Sequence, residues 1–230
     1  MVELAIPGDN IDQRVDDSTV FGPGIYQVPL GRPLPSKAGI IQSSTKRGHQ
    51  VLYVDSNSKR YIPAVKDHVI GVISGKHSEG YRVTLQDHSP PIRLGQFAFE
   101  NATKKNRPNL NIGTLVYGRV VAAEKDIEGE MECFDATTGK AAGFGELKGG
   151  YVFEVSLAYA RELLFKNPRI LSAIGESVSY EIAIGVNGKI WIDAPDNKTI
   201  LKVAQCIQAS QDIPTSQVDD HVTKYLSGKN

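Results

Sequence analysis

Residues 66–124 constrain the fold more than any other stretch of this 230-residue chain. They open KDHVIGVISGKHSEGYRVTLQ and close GTLVYGRVVAAEK. Val69, Gly71 and Ile73 alternate with Ile70, Val72 and Ser74, and both faces are largely apolar. Tyr81, Val83 and Leu85 alternate with Arg82, Thr84 and Gln86, the pattern of a half-buried strand. Gly75 to Gly80 supplies a short polar turn between them. Leu115, Tyr117, Arg119 and Val121 resume the period of two after an interruption. Short strands and turns within about 70 residues predict a small closed barrel rather than a sandwich. Barrels of the OB type commonly bind oligonucleotides on one face.

The flanks carry different patterns. Residues 1–20 hold Glu3, Asp9, Asp12, Asp16 and Asp17 against Arg14 alone, and read as an extended acidic arm with a turn at Pro7-Gly8. IYQV, AGIIQSS and QVLYVD give three weak strands, separated by Pro29, Pro33, Pro35 and DSNSKR. Roughly 40 residues of this kind bury little core alone. Residues 1–62 are therefore expected to pack on the barrel or on another chain. Pro63 begins the barrel domain, 63–150. Inside it, residues 95–111 (GQFAFENATKKNRPNLN) read as a long insert between strands, and such loops often carry function. The glycine-rich 137–150 reads as turns and a bulged last strand, and it holds no GxGxxG.

From Tyr151 the period changes. YVFEV reads as a strand. SLAYARELLF follows at helical spacing with Ser156 as its N-cap, and Pro168 ends that helix and starts RILSAIGES. VSYEIAIGVNGKIWIDA reads as two strands joined by a type I′ turn at Asn187-Gly188, and NKTILKVAQCIQAS as a final amphipathic helix. Strand–helix–helix–strand–strand–helix is the order of a KH RNA-binding module. The chain is thus expected to be multidomain: a β-rich N-terminal domain, an OB-type barrel, and an α+β KH-type domain over 151–230.

Charge and composition narrow the function. Net charge is zero, whereas a surface that binds nucleic acid tightly by itself is usually basic. No apolar run approaches the roughly 20 residues of a membrane span, and MVELAIPGDNIDQR has no secretory signal pattern. Cys133 and Cys206 form no CxxC pair and are expected to be buried thiols of an intracellular protein. His49, His68, His77, His88 and His221 form no metal motif, and no nucleophile elbow or Walker loop occurs. Glu124, Asp126, Glu128, Glu130 and Glu132 cluster in sequence. They read as solvated hairpin edges rather than as the convergent carboxylates of a two-metal nuclease. No cofactor is expected.

The match becomes specific at GVNG, 185–188, followed by Lys189-Ile190-Trp191. Further motifs are KRYIPAV at 59–65, DHVIGVISG at 67–75, ATKKNRP at 102–108, VYGRVVAAEKD at 116–126 and GFG at 143–145. With these in order, from about Pro7 to the last helix, the sequence resembles the S1/KH cap subunits of the eukaryotic RNA exosome, the ribosomal RNA-processing protein forty family. The resemblance implies a non-catalytic subunit on a ring of RNase-PH-like proteins, beside other cap subunits. There it would guide single-stranded RNA into a channel leading to a 3′→5′ ribonuclease. It implies residence in nucleus, nucleolus and cytoplasm, and an N-terminal domain that clips ring subunits together. A stand-alone S1/KH RNA-binding factor is the alternative.

Within that frame, Lys104, Lys105 and Arg107 in the long insert are expected to meet RNA phosphates without base preference. Many S1 domains carry Phe-Gly-x-Phe-Val on the second strand; here it is Glu79-Gly80-Tyr81-Arg82-Val83, so both stacking rings are missing. Stacking contributes roughly 1–3 kcal/mol per base, so the barrel is expected to bind weakly. Arg82 is expected either to bind RNA or to be a plain exposed strand residue, and Tyr81 to be core. A working KH clamp is a GxxG loop between the first two helices; here the junction is Lys166-Asn167-Pro168-Arg169. Gly185, Asn187 and Gly188 are therefore expected to form a structural turn, with Trp191 as an interdomain anchor.

Overall fold

The structure is a computed structural model. It describes residues 3–11, 15, 18–27, 31–46, 48–106, 108–124, 126–166 and 168–226. The chain forms two compact units, residues 1–58 and 59–230.

The first unit is all β. Its strands are β1 (Glu3–Ala5), β2 (Val20–Phe21), β3 (Ile25–Gln27), β4 (Pro33–Pro35), β5 (Gly39–Lys46) and β6 (His49–Asp55). One sheet has the order β1-β5-β6-β2, and β3 and β4 pair separately. Ala5, Ile25, Ile41, Leu52 and Val54 make a small core of its own. Two expectations are corrected. Glu3–Ala5 is not free arm but an edge strand on β5. Pro33 and Pro35 do not separate strands; they sit in β4, where a strand paired on one side tolerates the missing N–H groups. Asp12, Arg14, Asp16, Asp17 and Pro29 lie outside the described residues.

The second unit opens with the barrel: β7 (His68–His77), β8 (Gly80–Thr84), β9 (Ile92–Phe99), β10 (Leu115–Ala122) and β11 (Glu130–Cys133). Antiparallel pairs β7–β8, β8–β9, β7–β10 and β10–β11 are closed by the parallel pair β9–β11, giving a five-stranded OB barrel. β12 (Gly145–Leu147) extends the sheet along the start of β10. Val69, Ile73, Val83, Leu94, Val116 and Val120 fill the interior with essentially no exposure, as their alternation requires. A bulge between Ile73 and Gly75 bends β7 so that one strand serves both sides of the barrel. Two boundaries move. β7 runs to His77, shortening the expected turn. β9 runs through Phe99, so residues 95–99 are strand and the loop begins at Glu100.

The α+β part follows: β13 (Tyr151–Glu154), α1 (Leu157–Phe165), α2 (Arg169–Ser177), β14 (Glu181–Ile184), β15 (Lys189–Asp193) and α3 (Asn197–Ala209). The sheet order is β13-β15-β14, antiparallel throughout. Ser156 caps α1, accepting from the Tyr159 N–H, and Asp196 caps α3 through the Thr199 N–H. α3 is not the last helix. A 3-10 turn (Thr215–Gln217) leads into α4 (Val218–Leu226), which buries Val218 and Val222. Cys133 and Cys206 are both buried free thiols, the latter pushed up to about 12 by burial.

Candidate nucleic-acid interface

On β8 and β9 the inward residues Tyr81, Val83, Ile92 and Leu94 are core, which leaves Arg82 and Arg93 facing solvent. Arg82 pairs with Glu128 at 3.9 Å; Arg93 pairs with Glu79 at 3.0 Å and with Glu130 at 3.8 Å. Arg82 is thus an exposed strand residue that already has a carboxylate partner. Glu132 lies under a partly buried pair with Arg119, whose Nε donates to it at 3.1 Å. Of the five acids clustered in sequence, Glu128, Glu130 and Glu132 thus each pair with a different arginine. Among the described residues no group of three or more His, Cys, Asp or Glu could hold a metal ion.

Tyr81 turns its ring into the barrel and uses its hydroxyl to fix the long loop. The O–H donates to the Pro108 carbonyl at 2.6 Å and accepts from the Leu110 N–H at 3.2 Å. Upstream, Thr103 and Asn106 close a tight turn by reciprocal backbone bonds of 2.8 and 3.1 Å. Lys104 and Lys105 occupy the tip of that turn, exposed, and neither forms an ion pair with a described residue. Lys76 adds a third cation beside the loop: its Nζ donates to Asn109 Oδ1 and lies 5.9 Å from the Tyr81 ring centre. Sequence reading missed Lys76, since only the fold brings β7 against residues 108–110. Arg107 lies outside the described residues.

The GVNG turn is not solvent-facing. Gly188 has φ +85°, but Asn187 is not in the left-handed region, so the expected type I′ turn is corrected to a three-residue turn closed by a left-handed glycine. β7 and β8 are in register only from Val72 and Thr84 onward, and the turn fills the gap where they splay. The Val186 N–H donates to the His68 carbonyl at 2.8 Å. Asn187 Nδ2 donates to the carbonyls of Ile70 and Leu85, both at 2.8 Å, and Oδ1 accepts from the Ile70 N–H at 3.3 Å. A side-chain amide thus stands in for a strand partner. Gly185 leaves it room: a Cβ there would lie 2.2 Å from Asn187 Oδ1. At Gly188 a Cβ would lie 2.8 Å from the Val155 carbonyl oxygen, on backbone that disfavours side chains. Gly188→Ala is expected to lower stability by about 1–3 kcal/mol, read by urea denaturation.

Trp191, on β15, faces the barrel with Ile70, Leu115, Tyr117 and Leu147, and its Nε1–H donates to the Gly149 carbonyl at 3.0 Å. Next to it His68 contacts the edges of Tyr117 and Phe144, and Tyr117 O–H donates to Ile184 O at 3.2 Å. Burial, then the Arg119 charge, holds the His68 imidazole below its ordinary 6.5, with Asp67 opposing. The unfolded chain therefore takes up this proton first. The His68 contribution to stability is complete above pH 6.5 and is lost as pH falls below it. His68→Asn is expected to flatten the dependence of unfolding midpoint on pH between about 7 and about 5.

At the α1–α2 junction, where a KH clamp would sit, Arg169 donates to Glu176 at 2.7 Å and to Asp219 at 3.1 Å, which holds its charge inside the domain. Asn167 lies outside the described residues.

Comparison with known proteins gives three family matches. Residues 61–145 match the S1 domain of exosome complex component RRP40, residues 150–198 a KH domain, and residues 19–60 the N-terminal domain described as that of exosome complex exonuclease Rrp40. The chain is 42% identical to exosome complex component RRP40 of Saccharomyces cerevisiae, over 97% of this chain and 98% of that one. It is 42% identical to exosome complex component rrp40 of Schizosaccharomyces pombe, over 90% and 88%. In fold it is similar to a crystal structure assigned to an exosome complex RNA-binding protein, with TM-score 0.55 at 19% identity over 72% of this chain and 96% of that one.

Proposed function

The chain belongs to the RRP40 family of exosome complex components, S1/KH cap subunits with RNA-binding domains, and from that premise we propose that it guides RNA without cutting it. In this reading residues 1–62 bridge RNase-PH-like ring subunits, beside other cap subunits. The barrel, 63–150, lines the mouth of the channel, and residues 151–230 hold the barrel in place. Single-stranded RNA passes over the barrel to a 3′→5′ ribonuclease supplied by another subunit, in nucleus, nucleolus and cytoplasm.

One observation carries the guiding role: β8 lacks both stacking rings of the usual S1 motif, while Lys104 and Lys105 stand exposed at the tip of a loop pinned by Tyr81. Contacts of this kind attract any backbone and hold none for long. The GVNG turn supports a structural part for the KH module, since its polar groups are spent on β7 and on Leu85. A non-catalytic chain is supported by Glu128, Glu130 and Glu132, each paired with an arginine, with no metal-holding group of carboxylates among the described residues.

The test is RNA binding by the full chain across a salt series. Lys104→Ala and Lys105→Ala are each expected to weaken binding about three- to fivefold at low salt and to reduce the salt slope by about one, without altering base preference. No change in either variant rejects the loop as the RNA contact. Labelled RNA incubated with the purified chain and Mg²⁺ is expected to stay intact; its degradation rejects the non-catalytic reading.

A further inference from the structure

Arg82 and Arg93 are direct partners across the β8–β9 ladder. Like charges directly opposite destabilise a sheet, so this placement calls for an anion. The chain supplies three: Glu79 from the β7–β8 turn, Glu128 from the approach to β11, and Glu130 at the start of β11. All five side chains remain substantially exposed, so these pairs contribute little to stability. Together with His77 and Ser78, Arg82, Arg93, Glu79 and Glu128 line a shallow groove on the outside of the barrel. Two neighbouring guanidinium forks over a groove are a phosphodiester site, and here its places are already taken.

We propose that Arg82 and Arg93 form a phosphate-binding pair for the RNA backbone, and that Glu79, Glu128 and Glu130 mask it until RNA displaces them. The proposal rests on the RNA-guiding reading above. An ordinary phosphate contact releases counterions into solution. In this groove the displaced carboxylates stay tethered beside the arginines and compete for re-entry. Binding is held weak, release is fast, and the salt dependence is shallow, because salt loosens the internal pairs together with the RNA contact. A surface over which RNA must advance gains from such contacts.

The experiment measures fluorescence anisotropy of a labelled oligouridylate with the full chain in a KCl series. The double variant Glu128→Gln/Glu130→Gln is expected to bind about three- to tenfold tighter and to steepen the salt slope by about one. Glu181→Gln, an exposed acid on β14, controls for net charge and is expected to change affinity less than about twofold. The gain must disappear when Arg82→Gln/Arg93→Gln is added, because the masking acts only through those two arginines. A gain no larger than that of Glu181→Gln, or one that survives loss of the arginines, overturns the proposal. In that event, a loss in the Lys104→Ala variant leaves the guiding role standing. Absence of binding by every variant at low salt overturns both.

Discussion

Replacing Asn187 by alanine is expected to destabilise the barrel–KH unit by about 3 kcal/mol or more. Asn187 is 4% exposed, and its amide satisfies three backbone groups: both polar groups of Ile70 and the carbonyl of Leu85. β8 does not reach them, since its register with β7 begins two residues further along. An alanine leaves them buried and unpaired, at about 1–3 kcal/mol for each stranded group. Water recovers part of that only where there is room for it, and the turn is held against β7 by the Val186–His68 bond. Asn187→Asp is the sharper variant. It keeps the size, removes the Nδ2 donor and sets an anion against two carbonyl oxygens, so it is expected to cost at least as much as alanine. Urea unfolding reads the loss, and amide hydrogen exchange at Ile70 places it. A loss below about 1 kcal/mol, with Ile70 still protected, shows that the amide is dispensable.

The local part of this site was legible, and the part fixed by distant residues was not. Periods of two at Val69–Ile73 and Tyr81–Leu85 mark the barrel strands: on β8 the alternate residues face solvent, while on β7 Ile70, on the face opposite Val69 and Ile73, is buried against Trp191. The closing pair β9–β11 has no such trace. It joins strands by register alone, and Gly95 with the exposed Phe97 made the end of β9 look like loop. Asn187-Gly188 reads as a two-residue turn on local chemistry. A partner 117 positions away claimed the asparagine side chain and left only the glycine in the left-handed region. Arg82 was visible as a cation on the right strand, but its pairing with Glu128 depends on barrel closure. α4 did carry a signal: Val218, Val222 and Tyr225 share one face, with Asp219 and Asp220 at its start and Lys224 near its end.

Trp191→Ala is expected to lower stability by about 3–5 kcal/mol and to loosen the KH module from the barrel. Trp191 is 5% exposed and packs on Ile70, Leu115, Tyr117 and Leu147 of the barrel sheet, with Ala183 and Val152 of its own sheet beside it. Truncation removes the contact on both sides and strands the Gly149 carbonyl that the indole N–H satisfies. The surroundings have little freedom to close the space, because Gly150 already sits so tightly over the indole that a Cβ there would lie 2.7 Å from Nε1. Trp191→Phe keeps most of the apolar contact but loses the donor, and is expected to cost about 1–2 kcal/mol. Ile70 is common to both anchors: Asn187 holds its backbone and Trp191 covers its side chain. The double variant Asn187→Ala/Trp191→Ala is therefore expected to cost less than the sum of the two singles, since either one frees the same strand. Additivity within about 0.5 kcal/mol would show that the anchors act independently. The shape of unfolding carries the rest of the argument. With both anchors present, residues 59–230 are expected to unfold in one transition; with Trp191 removed, two transitions are expected, because the KH module keeps a core cluster of its own and the barrel cluster includes only Leu157 and Val186 from it.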